Sequence, residues 1–368
     1  MHEVTHTAGA MDWNFLLFSL VKIFVAFAVV MTMVAYAVLV ERKVSAFIQD
    51  RVGPSRTRPF FAKYLPVVGP ALTRWGIFQP LADGLKFVLK EDFTPAHVRK
   101  AWFWIAPAAA MIPALLTMAV IPFGSTLGGQ QMVIADLDVG ILYTFGIVSL
   151  GVYGIVLAGY ASNSKYPFIG GIRSSAQMIS YEISMGMSVV PVFLLVGSLN
   201  LSAVIENQAG SLLNWHLFKQ PVAFFIFMIA AFAETNRLPF DLPEAEQELV
   251  GGYHTEYSSM KFALFFLGEY AAMITVSAMM VTLFLGGWTL PFLGLDQPAA
   301  TLLGGILHML IFLAKVCALL VLMIWVRWML PRFRYDQLMN LGWKRFVPLA
   351  LANVVATALV LLLITPKP

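Results

Sequence analysis

Apolar stretches of about 20 residues recur from one end of this 368-residue chain to the other, and that is the length a helix needs to cross the ~30 Å hydrocarbon core of a bilayer. Eight are read as spans: Trp13–Val40, Ala101–Ile121, Gly140–Tyr160, Ser174–Val196, Val222–Ala233, Met260–Leu285, Ala300–Trp325 and Phe346–Ile364. The fifth is the shortest, because its purely apolar part is too short to span without its polar continuation. A polypeptide in lipid must satisfy its own backbone polar groups, and period-2 alternation with turn signals, the mark of a membrane barrel, is absent. The expected fold is therefore an all-α integral membrane bundle of eight transmembrane helices, a single domain over residues 1–368.

Charge sets the expected topology. No Lys or Arg precedes the first helix, and that helix is too long for a signal segment, so it reads as a retained span with the N-terminus outside. The loops Glu41–Lys100, Ala161–Arg173, Thr235–Lys261 and Arg327–Arg345 then lie on the cytoplasmic side and hold 20 of the 24 basic residues. Positive charge concentrates inside, as insertion requires, and an even number of spans returns the C-terminus to the outside. The net charge of +4 follows from this asymmetry, so it argues for no nucleic-acid partner. A single cysteine, Cys317, excludes a disulfide and an iron–sulfur cluster held by this chain alone. His308, alone in its span, reads as a hydrogen-bonded packing residue rather than a metal ligand.

The first span covers about 42 Å as a helix, more than the hydrocarbon core, so it must tilt or project. Its inner end, Glu41-Arg42-Lys43, is expected to run on to a stop at Gly53-Pro54. Arg42, Lys43 and Arg51 serve as positive-inside anchors on the plain reading; Arg42 and Arg51 also flank an amphipathic turn that suits a lipid-soluble ligand. Residues Ser55–Trp75, Pro-rich and basic, read as irregular. Over 76–91 the residues Ile77, Leu81, Leu85 and Val88 share a helical face with Asp83, Lys86 and Lys90 elsewhere, which predicts a cytoplasmic-side amphipathic helix lying at the interface. A groove between it and the first span would open sideways to lipid. In span three, Gly151, Gly154 and Ala158 form a small-residue face for close helix packing.

The acidic residues demand the most explanation. Phe232–Phe262, wedged between two spans, carries Glu234, Asp241, Glu244, Glu246, Glu248 and Glu256 against Arg237 and Lys261. Glu182, Glu234 and Glu269 each sit in or at the end of a different span, where an ionised carboxylate is costly and so pairs, titrates or both. Three such groups near an acidic loop point to a proton pathway. The structural alternative is that Glu182 or Glu269 neutralises Lys315, mid-span in the seventh helix, which joins the pathway on the first reading. Within the loop, Asp241-Leu242-Pro243-Glu244 reads as a helix start with Asp241 as cap. Glu244 and Glu248 would then share a face.

Five blocks, ERKVSAFIQDRVGP, QPLADGLKFVLKE, GIRSSAQMISYEISMG, AETNRLPFDLPEAEQELVGGYHTEYSSMKFALFFLGEY and WVRWMLPRFRYDQLMNLGWK, occur in this order from the first helix to the start of the eighth. They resemble the signature segments of the H-subunit family of proton-pumping NADH-quinone oxidoreductase, respiratory complex I. The resemblance implies a membrane component, not catalytic alone, that docks the peripheral-arm redox subunits beside other membrane-arm subunits in the bacterial cytoplasmic membrane. It implies a quinone substrate, ubiquinone or menaquinone, with no flavin, iron–sulfur cluster or metal on this chain. It assigns Glu182, Glu234 and Glu269 to the buried carboxylates and Glu244, Glu246 and Glu248 to the acidic loop. Arg42, Arg51, Asp83 and Gly84 fall near the quinone channel. The chain departs from the pattern by an insertion at Ser55–Trp75 and by Gly84, where alanine is commoner.

Two other functions stay open on the residues themselves. One is the homologous anchor of a membrane-bound hydrogenase or ferredoxin-type complex. The other is a free-standing cation/proton antiporter, which needs the carboxylates but no groove and no docking loops.

Overall fold

The computed structural model describes residues 13–58, 68–243 and 250–364. Seven of its helices are long and apolar enough to cross a membrane, and an eighth apolar helix is shorter. The elements are α1 (Trp13–Ile48), α2 (Val68–Trp75), α3 (Gln79–Leu89), α4 (Lys100–Leu116), α5 (Gly140–Ala161), α6 (Lys165–Val196), α7 (Leu201–Asn207), α8 (His216–Lys219) and α9 (Pro221–Glu234). After the acidic loop come α10 (Ser259–Phe284), α11 (Leu302–Met329) and α12 (Tyr335–Ile364). Between α4 and α5 a two-residue hairpin pairs Thr126 with Gln131. The all-helical membrane bundle is as the sequence predicts. The fifth span, α9, has 14 residues, about 21 Å at 1.5 Å per residue, so it reaches only part of the way across.

Helix α10 is the axis. Most of its apolar window, 72%, is buried, against 22% for α1 and 11% for α12, so the peripheral helices turn their apolar sides outward to lipid. Along α1 the buried positions Val30, Val34, Ala37, Glu41 and Ser45 form the stripe that faces the bundle. Between α4 and α5, Gly154 permits backbone contact: a Cβ there would lie 2.6 Å from the Ala110 Cα. Gly151, placed on the same face by sequence, has nothing within 4 Å of such a Cβ.

Four boundaries differ from the sequence expectation. Helix α1 ends at Ile48 rather than Gly53, because Asp50 takes a left-handed conformation (φ +54) and the Arg51 N–H closes on the Ala46 carbonyl at 2.8 Å, a termination that needs no glycine. Residues 68–75, expected to be irregular, form α2. Helix α6 begins at Lys165, nine residues before the expected Ser174, so most of the Ala161–Arg173 link is helical; Gly171 there lets α6 approach the Gly159 backbone of α5, and Gly170 meets the Tyr253 backbone. Helix α12 begins at Tyr335 instead of Phe346 and passes through a wider π turn at Leu341–Phe346. Its polar first turns are anchored by Tyr181, whose hydroxyl donates to the Leu338 carbonyl at 3.0 Å, and by Trp343, which donates to Ser180 at 3.1 Å. Hydropathy marks where lipid begins; these starts are set by packing.

The amphipathic helix is present as α3, with no buried residue. Its Leu81, Leu85, Val88 and Leu89 are all at least half exposed, which is the state of an apolar face meant for the membrane interface.

Candidate functional site

Two polar clusters meet where α1, α9, α10 and α11 converge. The first is centred on Glu41, the acid within the buried stripe of α1. Its carboxylate receives Arg237 Nη1 at 3.2 Å, the Tyr270 hydroxyl at 2.6 Å and, in a closer contact, Arg327. The Arg237 guanidinium also lies 4.2 Å from the centre of the Tyr270 ring, so cation–π attraction supplements the ion pair. Glu41 and Arg237 are both more than nine-tenths buried. At that depth an unpaired charge would be costly, and the three partners on Glu41 are what make its ionised form tolerable.

The second cluster holds the carboxylates. Glu234, the last residue of α9, is buried (4% exposed), and neither of its oxygens has a hydrogen-bond partner among the described residues. It lines a cavity with Thr235, Asn236, Tyr253, Glu269 and Thr275. About 70 Å³ of this cavity is open to the centres of water molecules, room for a handful at the ~10–15 Å³ each requires. Glu269 accepts from the Tyr253 hydroxyl at 3.0 Å. Glu182 is bonded by Ser149 of α5 and acts on Glu234 through charge. The three acids sit on α6, α9 and α10, and two of them, Glu234 and Glu269, line one cavity.

Gln177 fixes the turn that follows α9. Its side-chain amide donates to the carbonyls of Ala233 at 2.7 Å and Phe240 at 2.8 Å, so the backbone leaving the helix is held without a regular element. Asp241, expected as a helix cap, pairs with Arg332 at 3.0 Å; Glu244, Glu246 and Glu248, with the rest of that helix, lie outside the described residues.

Residues 21–358 match the NADH dehydrogenase family. The chain belongs to this family. It is 48% identical over 330 residues to an NADH-quinone oxidoreductase H subunit of Cytophaga hutchinsonii, covering 88% of this chain and 90% of the relative. It is 50% identical over 326 residues to NADH-quinone oxidoreductase subunit 8 of Rhodothermus marinus, covering 87% and 90%. With an NADH-quinone oxidoreductase H subunit of Koribacter versatilis it shares 47% over 364 residues, 94% and 97% of the two chains. The five blocks that carry the family resemblance supply most of both clusters.

Of the positions that the family pattern assigns to a quinone channel, Arg42 and Asp83 come together: Arg42 Nη1 lies 2.6 Å from Asp83 Oδ2, and Gln79 donates to the other oxygen at 3.0 Å. This joins α1 to α3. Gly84, one residue on, has open space around it. Arg51 stands apart, exposed, with its Nε on Gln49. Lys315 is not brought to the acids at all. Its ammonium donates to the carbonyls of Leu285, Gly287 and Thr289 at 2.7, 2.9 and 2.7 Å and sits 4.4 Å from the Trp215 ring centre. It thus ties down the turn that follows α10, whose carbonyls it gathers.

Sequence reasoning missed the Glu41 cluster by treating Glu41 as part of a charged helix end and Arg237 and Arg327 as loop charge. The signal was available: Glu41 continues the stripe of Val30, Val34 and Ala37 at helical spacing, which puts it inward. No such period marks Tyr253, whose role depends on how the loop folds back onto α10.

Proposed function

We propose that this chain is the membrane component of an NADH-quinone oxidoreductase that forms a quinone chamber with the peripheral arm and couples quinone reduction to proton translocation. Electrons come from partner subunits, so the chain is not catalytic by itself. In this reading a long-tailed quinone enters from the bilayer through a groove between α1 and the amphipathic α3, which the Arg42–Asp83 pair joins, with Arg51 and Gly84 assigned to the same approach by the family pattern. Protons pass along Glu234, Glu182 and Glu269 as the charge and shape of the acidic loop, with Glu244, Glu246 and Glu248, respond to the quinone. The bacterial cytoplasmic membrane, both termini outside, is the setting, with the other membrane-arm subunits as neighbours.

One observation carries the relay: Glu234 is buried, lacks a hydrogen-bond partner among the described residues, and shares a water-sized cavity with Glu269. With water-sized space beside it and a second acid in the same cavity, such a carboxyl can hand a proton on without first breaking a hydrogen bond. Lys315, committed to three carbonyls, is the least suited of the sequence-named pathway residues. Extensive identity with relatives named as NADH-quinone oxidoreductase subunits favours this reading over an antiporter or a hydrogenase anchor. The test is Glu234→Gln in the assembled complex: NADH–quinone activity and the linked proton uptake should fall sharply while the complex still assembles. Full coupled activity in that variant would remove Glu234 from the mechanism.

A further inference from the structure

Helix α3 poses a mechanical question. Eleven residues long and without a fully buried side chain, it has only the Phe87–Phe262 ring contact as aromatic packing against α10 among the described residues, yet it positions Asp83 against Arg42. Its N-terminal half is tied to α1 by that pair. The attachment at its other end lies on the far side of the acidic loop. The Ser259 hydroxyl, 4% exposed, is within reach of two carbonyls at the end of α3, Phe87 at 3.0 Å and Lys90 at 2.9 Å. Ser258 bonds both the N–H and the carbonyl of Phe93, at 3.2 and 3.3 Å. Lys261, also buried, pairs with Asp92 at 3.0 Å, donates to Thr94 at 2.8 Å and lies 3.9 Å from the Trp104 ring centre.

The geometry of Ser259 indicates that this contact is specified. As the first residue of α10 it holds φ +52, a backbone conformation that non-glycine residues rarely adopt. Every polar group of the Lys261 contact is matched, as a buried ammonium requires. On the other side of Ser259 the chain runs back six residues to Tyr253 and forward ten to Glu269, the pair that closes the carboxylate cavity.

We propose that Ser259 and Lys261 form a clasp that makes the interfacial helix α3 and the C-terminal arm of the acidic loop a single body. They are positioning residues: through the clasp, occupancy of the α1–α3 groove and the placement of Tyr253 against Glu269 share one support. This deepens the quinone-coupling reading and rests on it for its consequence in turnover, though not for the mechanical claim. When α3 is loosened, the fraction of molecules with a competent groove falls, and the apparent affinity falls by that fraction.

The mechanical claim is tested by hydrogen–deuterium exchange on the assembled complex carrying Ser259→Ala, Lys261→Met or Lys261→Arg. Exchange should rise together in peptides covering 79–98 and 250–258 in the first two variants and return toward the parent in Lys261→Arg. A rise confined to 259–262, or one that Lys261→Arg does not reverse, overturns the clasp. Ser259→Ala removes one hydroxyl without adding bulk, and it carries the test if Lys261→Met fails to assemble. In turnover, the KM for a long-tailed quinone should rise roughly threefold to tenfold in Ser259→Ala, the effect of losing one buried hydrogen bond, with a smaller change in kcat. Coupled exchange with an unchanged KM would keep the clasp and refute the quinone reading of the groove. An unchanged exchange pattern would refute the clasp whatever the kinetics.

Discussion

Replacing Glu41 by Gln tests the physics of the buried cluster most directly. The substitution keeps the shape and removes the charge that Arg237 and Arg327 share. In the parent the cluster holds two guanidiniums and one carboxylate; in the variant two cations face each other across a neutral amide. The Glu41 side chain is 10% exposed, that of Arg237 7% and that of Arg327 25%, so water can relieve little of the loss. Removing one partner of a buried ion pair costs roughly 3–5 kcal/mol, and the Tyr270 hydroxyl keeps an acceptor only if the amide oxygen turns toward it. The measurement is unfolding of the purified protein in mixed detergent, followed by tryptophan fluorescence, for Glu41→Gln, Arg327→Gln and the double variant. The double variant returns the cluster to its original net charge, so it should lose less than the two single losses combined, with a coupling on the order of 1 kcal/mol or more. Additivity within about 0.5 kcal/mol would mean that the three residues do not act together. A Glu41→Gln protein as stable as its parent would mean that the cluster is hydrated enough to need no pairing.

Other outcomes follow from single contacts. His216, fully buried beside the end of α10 with its Nδ1 2.8 Å from the Leu283 carbonyl, has its pKa pushed down from 6.5 to about 4, chiefly by burial, with the Leu283 carbonyl opposing and the Lys219 charge assisting. The unfolded chain therefore binds this proton first as pH falls: stability should be intact above about pH 6.5 and decline by about 3 kcal/mol on approaching pH 4. His216→Gln should flatten that part of a pH–unfolding profile. Gly154→Ala drives a methyl into the α4 backbone and should destabilise by roughly 1–3 kcal/mol, whereas Gly151→Ala should fold normally; equal losses in thermal unfolding would contradict the α4–α5 contact. Asp83→Asn breaks an ion pair whose Arg42 side chain is 45% exposed, so stability should change by less than about 1 kcal/mol while the KM for quinone rises. A large stability loss would show that the pair is structural first.

The order of spans and the amphipathic α3 were legible because lipid imposes a length and a polarity that hydropathy registers directly. The close approach at Gly154 was legible for a similar reason, since small residues at helical spacing have few other uses. The start of α6 at Lys165 was not, because Lys165–Arg173 is polar and its helix is stabilised by contacts of Gly170 and Gly171 with distant backbone. Glu182, Glu234 and Glu269 were found as misplaced charges, a signal that needs no structure. Arg237, Arg327 and Tyr270, the partners of Glu41, read as ordinary residues of a membrane border, and only tertiary folding shows which of the many border cations turns inward. Lys315 differs in the opposite direction: it is a charge within a span, but its partners are backbone carbonyls of the turn after α10, which no residue code announces.

The consecutive pair Glu41-Arg42 connects these clusters. Successive residues on a helix point about 100° apart, so one turn of α1 sends Arg42 outward to Asp83 on α3 and Glu41 inward to Arg237. Arg237 is also reached by the charge of Glu269, and Glu269 shares its cavity with Glu234. A ligand that displaced Arg42 from Asp83 would act on the segment of α1 that holds the Glu41 carboxylate, and a shift of that carboxylate would change how Arg237 shares its charge between Glu41 and Glu269. The Arg237 Nε and Nη2 groups carry no partner among the described residues, so the guanidinium has donors to spare for a second carboxylate.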